Sequence, residues 1–133
     1  MTQSLDTALY AKLTADTSAT AVHGLTGGRI YNGRAPLGAA LPMVTFSARA
    51  TPDGTFSSDS SQAHVRVEVW ADASGGVAAA RAIDGAAHAQ LDRQDLTAGG
   101  YGTAAACCVE RGALEVEGNV LHVRSEYRVW LRR

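Results

Sequence analysis

A chain of 133 residues with 12 Lys and Arg against 13 Asp and Glu, a formal net charge of −1 and 46% hydrophobic residues has the make-up of a folded globular domain. It is long enough to bury roughly two-thirds of its unfolded surface. Balanced charge excludes general phosphate neutralisation as a route to nucleic acid, and no run reaches the roughly 18 apolar residues of a membrane helix. The expectation is one domain, 1–133.

The first residues, "MTQSLDTALYAKL", lack a charged region followed by a continuous apolar run, so the chain is read as made in the cytoplasm. Ser4 stands as an N-cap, Asp6 where the helix dipole favours a carboxylate, and Leu5, Ala8, Leu9 and Leu13 recur at helical spacing. This predicts an amphipathic helix over about Leu5 to Thr14. Glycine and proline then punctuate "ATAVHGLTGGRIYNGRAPLGAALP", leaving one short extended piece, Arg29 to Tyr31, in a structured connector.

"PMVTFSARA" and "QAHVRVEVWA" read as strands; in the second, Ala63, Val65, Val67 and Val69 alternate with His64, Arg66, Glu68 and Trp70. Met43 to Ala71 is therefore expected to form a β-hairpin, with a long projecting loop from Thr51 to Ser61 suited to a contact role. After Ser74 as N-cap comes a second helix, about Gly76 to Asp92, with an apolar stripe of Val77, Ala80, Ile83, Ala87 and Leu91. Beside it Arg81, Asp84, His88 and Asp92 are spaced as a solvated face.

The last third reads as a second hairpin. The Gly118-Asn119 turn sets Val116 opposite Leu121 and Leu114 opposite Val123. Continued unbroken, that register turns Glu110 and Cys108 onto the apolar face. One β-bulge at Arg111-Gly112 repairs this by bringing Val109, Cys107 and Ala105 inward. Adjacent strand residues face opposite ways, so Cys107 and Cys108 are expected as free thiols. The fold class is α+β, an antiparallel-rich sheet of two β-hairpins packed against two α-helices.

Few residues carry chemistry. The stretch "VWADASGGVAAARAID" passes from strand through Gly-Gly to helix, the outline of a phosphate cradle, but it has neither GxGxxG spacing nor a P-loop lysine. The four histidines, His23, His64, His88 and His122, show no metal-ligand spacing; His64 and His122 can meet only if their strands are neighbours, and a metal needs a further ligand. The cysteines lack a helix N-terminus to activate a thiolate. No catalytic, metal or cofactor site is expected, and the chain is read as not an enzyme. Trp70 and Trp130 fall on the polar parity of their strands among Arg66, Arg128 and Arg132. They are a small second core under a covering helix, interface anchors, or a stacking platform for single-stranded nucleic acid, against which the near-neutral charge counts.

In this order the motifs resemble those of the small tail-completion or tail-terminator proteins of long-tailed bacteriophages and phage-derived gene transfer agents. The likeness is carried by "LDTALYAKLTADTSATAV", "GRIYNGRAPLGAALPMVTF", "HVRVEVWAD", the alanine-rich helix ending at "LD", and "HVRSEYRVW". The resemblance implies a virion protein at the head-proximal end of the tail. It further implies a hexameric homo-oligomeric ring that caps the tail tube, ends its polymerisation and joins tail to head. Its partners would be the tail tube protein and a head connector or adaptor, with DNA only passing through the lumen and no membrane. A head-tail adaptor or stopper bound to the portal, or a small-molecule-binding α+β domain, are the alternatives. The interface residues inferred from this sequence are Asp53, Phe56 and Asp59 on the projecting loop, with Arg66, Trp70, Arg128, Trp130 and Arg132 on the strands.

Overall fold

The computed structural model describes residues 2–50, 60–98 and 101–132. Helix α1 spans Thr2–Ala15, a short helix α2 Val22–Thr26, and α3 Gly76–Leu91. The strands are β1 Ile30–Asn32, β2 Met43–Ala50, β3 Ser60–Asp72, β4 Asp95–Ala98, β5 Tyr101–Glu117 and β6 Val120–Arg132. They form one sheet in the order β1-β2-β3-β6-β5-β4, antiparallel except for the β1–β2 pair. Both predicted hairpins are present, β2–β3 and β5–β6, and the Gly118-Asn119 turn joins the second. Gly118 has φ 58°, the left-handed value that two-residue hairpin loops demand and glycine supplies at least cost.

One face of this sheet carries the core. Val44 and Phe46 of β2, Ala63, Val65, Val67, Val69 and Ala71 of β3, and Val123, Tyr127 and Val129 of β6 are buried together with Leu5, Leu9 and Leu13 of α1 and Ala80, Ile83, Ala87 and Leu91 of α3. The period of two in the strands meets the three-to-four spacing of the helices, so most of the apolar stripes read from the sequence are consumed, while Val77 of α3 and Leu114 and Val116 of β5 stay exposed. Helix α1 touches the strands at both edges, β1 and β4. The sheet therefore curls around α1, whose three fully buried leucines fill the trough.

Several local expectations are corrected. Ser4 lies inside α1, which starts two residues earlier and leaves no acidic residue in its first turn. Nor is Ser74 the cap of α3: residues Ala73–Gly75 form a 3₁₀ turn, and the Asp72 carboxylate accepts the Ser74 N–H at 2.9 Å. That N–H holds the Asp72 carboxyl below the usual range. The connector contains α2, whose first amide is capped from far away: Val22 N–H donates to Gln90 Oε1 at 3.1 Å, and Gln90 Nε2 donates to the Lys12 carbonyl at 3.0 Å. The polar stripe of α3 is not a solvated face, because Asp84 is buried and accepts the Ser125 hydroxyl at 2.7 Å.

Strand β5 holds the largest correction. Its pairing with β6 slips once between Glu110 and Ala113, at the predicted Arg111-Gly112 bulge, and again between Cys108 and Glu110. Two one-residue shifts cancel in parity. Cys108 and Ala106 therefore face the core beside Tyr127 and Val129, and Cys107 lies opposite Arg128 on the other face, the reverse of the expected orientation. The bulge at Arg111-Gly112 is tied to β6 and to α3, and the one after Cys108 to the end of α3. Gly112 N–H donates to Ser125 Oγ at 3.0 Å, Arg111 Nε lies 3.6 Å from Asp84, and Cys108 N–H donates to Asp92 Oδ1 at 2.8 Å.

Candidate interface on the open face of the sheet

The face of the sheet away from the helices carries the residues singled out from the sequence. Across β2, β3, β6 and β5 run rows of outward side chains: Met43, Trp70, His122 and Glu115 in one, Ser47, Arg66, Glu126 and Glu110 in another, then Arg49, His64, Arg128 and Cys107. Ser47, Arg49, His64, Arg66 and Trp130 are exposed. No single pair dominates; alternating strand residues simply place every second side chain here.

Trp70 and Trp130 lie at opposite ends of this face. Trp130 pairs with Gln62, eight residues along β3 from Trp70, roughly 27 Å at the rise of an antiparallel strand. Trp70 is half-buried and engaged within its own subunit. Its ring stacks on His122 with centroids 4.0 Å apart and planes 8° from parallel, and Nε1 donates to Thr45 Oγ1 at 3.1 Å. His122 Nε2 in turn lies 2.9 Å from Glu68 Oε2, and Nδ1 lies 3.7 Å from Glu115 Oε2. Trp130 is 39% exposed and has the freer ring.

Arg66 reaches Glu68 at 3.8 Å and Glu126 at 3.5 Å, exposed pairs worth about 1 kcal/mol at most. Arg128 stands opposite His64 and Cys107, and Arg132 opposite Ser60 on β3 and Thr103 on β5. Asp53, Phe56 and Asp59, and with them the centre of the projecting loop, lie outside the described residues. His64 and His122 occupy neighbouring strands but do not meet: His64 pairs with Arg128 and His122 with Trp70, six residues along β3, roughly 20 Å.

The remaining polar groups are committed to the fold. Burial, with Asp92 nearby, pushes the Cys108 thiol up, away from a reactive thiolate. Ser125 is fully buried between Gly112 N–H and Asp84. At the Gly-Gly turn, Asp72 occupies the amide that a phosphate would seek, and the strand before it is antiparallel to both neighbours. The cleft beside this turn, lined by Leu25, Pro42, Ala71, Ala79, Ala82 and Ile83 with Asp72 and Ser74, holds about 240 Å³, smaller than the ~300–1,000 Å³ of ordinary ligand pockets.

Residues 7–132 match the family model described as tail completion protein gp17. The chain belongs to that family. The match makes it a structural tail-completion protein. A chain in the virion of a native gene transfer agent particle is similar in fold, with a TM-score of 0.81 and 20% identity over 98% of this chain and 96% of that one. A second solved structure aligns with a TM-score of 0.70 and 13% identity over 100% and 97%. No curated protein matches the tail-completion chain.

Proposed function

We propose that this tail-completion protein forms a ring at the head-proximal end of a phage-type tail. There it caps the tail tube, ends its polymerisation and joins tail to head. The observation that carries the reading is the family match across residues 7–132. The fold shared with a gene transfer agent virion chain supports it, and the hexameric count comes from the family resemblance. The ring works by contact rather than by chemistry. One rim meets the tail tube protein, the other a head connector or adaptor, and DNA only passes through the lumen. The open sheet face, with Arg66, Arg128, Arg132, Trp70 and Trp130, and the loop carrying Asp53, Phe56 and Asp59 are the surfaces assigned to these contacts.

A ring repeats one heterologous contact, so each copy must present two different patches that fit each other. The test is to remove the chain from the producing strain and image the particles. Tail tubes of uncontrolled length beside tailless heads are expected. Joined tails of normal length would overturn the reading. Labelled protein that stays with isolated heads, rather than with isolated tails, would instead assign it to a portal-bound adaptor.

A further inference from the structure

We propose that neighbouring copies meet head to tail. The free edge of β5, Val109 to Glu117, receives the segment 33–41 of the next copy, with Leu37 and Arg34 as its contact residues. The inference rests on the ring reading above and names the contact that builds the ring.

Strand β4 pairs with β5 only as far as Ala105, and among the described residues no strand lies on the side of β5 away from β6 between Val109 and Glu117. An edge of this kind is a template for another chain, which monomeric proteins blunt with lysine, proline or a covering element. The segment "VERGALEVE" contains neither lysine nor proline, and its two bulges leave Ala113–Glu117 regularly paired. It also exposes apolar surface: Val109 is 58%, Leu114 37% and Val116 61% exposed. Helix α3 adds to the patch. Ala73 N–H donates to the Asn119 carbonyl and the Arg81 guanidinium lies against Gly112, so Val77, 39% exposed, lies between them at the level of Leu114 and Val116.

The occupant is identified by charge and place. The β5 edge has Glu110, Glu115 and Glu117 against Arg111 alone. On the other side of the sheet, residues 17–52, which include β1 and β2, contain Arg29, Arg34 and Arg49 and no Asp or Glu. The segment 33–41 lies against Met43, Thr45, Glu68 and Trp70 on the open face, where Glu68 is already paired with His122 and Arg66, and it holds Leu37 wholly in solvent, an apolar side chain with no partner in its own copy's core. Both patches stand at the same end of the strands, since Met43, Trp70, His122 and Glu115 form one row across the sheet. The three strand spacings of that row, roughly 14 Å, separate them within one copy. A rotation about an axis along the strands carries one patch onto the other with every copy the same way up. That is the operator of a cyclic ring.

The test uses full-length protein in native mass spectrometry, with circular dichroism to verify folding. Wild type is expected as a ring, and Leu37→Asp and Val116→Asp separately as folded monomers. Each variant keeps one intact patch, so an equimolar mixture in concentrated solution is expected to give a one-to-one dimer and nothing larger. A wild-type ring that either variant leaves intact overturns this contact alone. Monomers that stay monomeric on mixing show that the two patches do not meet, and also overturn it. A wild type that is monomeric at every concentration overturns the ring reading and the contact together.

Discussion

Gln90 joins α1, α2 and α3 through one side chain. Its oxygen takes the first free amide of α2 and its nitrogen serves a carbonyl in the last turn of α1, groups that helix ends leave unsatisfied. Nothing local marks this role, because the two partners lie 68 and 78 residues away in sequence; capping arguments from sequence look only at neighbours. Gln90→Ala is expected to cost about 1–3 kcal/mol, read as a lower urea midpoint with an unchanged slope. Tyr127 differs in kind. Its hydroxyl is buried with no hydrogen-bond partner among the described residues, and burial, reinforced by Asp84, raises its pKa well above the ordinary 10.0. Below pH 10 both folded and unfolded states keep this proton. Above it the unfolded state releases the proton first, so stability falls as pH rises, by about 1.4 kcal/mol per pH unit from this group. Tyr127→Phe should leave stability at pH 7 unchanged or improved, and should flatten the loss in midpoint between pH 10 and 11 relative to wild type. An equal alkaline loss in both proteins would remove Tyr127 as its source.

Strand β5 is the element on which sequence reading and structure part. The turn at Gly118 and the bulge at Gly112 are legible because each answers a visible conflict: a Gly-Asn pair between alternating runs, and a charged Glu110 that an unbroken register drives onto the core face. The second slip, at Val109, answers no such conflict. Once the first bulge is made, Val109 and Cys107 are acceptable inward residues, and what decides for Cys108 and Ala106 is a tertiary contact, the Asp92 carboxylate at the end of α3 that accepts the Cys108 amide. The α3 stripe of Asp84, His88 and Asp92 departs from the expected solvated face for a related reason: Asp84 meets the Ser125 hydroxyl and the Arg111 guanidinium, and Asp92 the Cys108 amide, partners set by the bulges of β5 that a helical period does not reveal. Gly112, with φ 71° and the Arg81 guanidinium 3.2 Å from where a Cβ would stand, holds the first bulge. Gly112→Ala is expected to cost about 1–2 kcal/mol from the left-handed backbone alone. Asp84→Ala, which leaves the buried Ser125 O–H without its acceptor and Arg111 without its carboxylate, should cost about 1–3 kcal/mol. Hydrogen exchange at the Gly112 amide should quicken in both variants before that of the β3 amides, because the bulge opens ahead of the sheet centre.

At the scale of the whole molecule, the helix-covered face was legible and the open face only in part. Apolar periods identify what must be buried, whereas the same outward parity holds residues with different duties, and parity cannot divide them. Trp70 and Trp130 illustrate the division. Both alternate outward from valines, yet Trp70 is sandwiched with His122 and hydrogen-bonded to Thr45, while Trp130, opposite Gln62 and Ala105, leaves 39% of its surface in water. The first therefore holds the strands β2, β3 and β6 together at one end of the sheet; the second is available to a partner at the other. Trp70→Ala is expected to lower stability by about 2 kcal/mol, from the lost stack, the lost hydrogen bond and the vacated apolar area. Trp130→Ala should leave the urea midpoint within about 0.5 kcal/mol of wild type, as exposed substitutions do, yet reduce the yield of joined particles if this end of the face meets a virion partner. The two measurements, midpoint and particle yield, should thus respond to opposite variants. A Trp130→Ala protein that is as stable as wild type and joins tails to heads at the wild-type yield would withdraw Trp130 from the interface, and with it the assignment of the Arg128 end of the sheet.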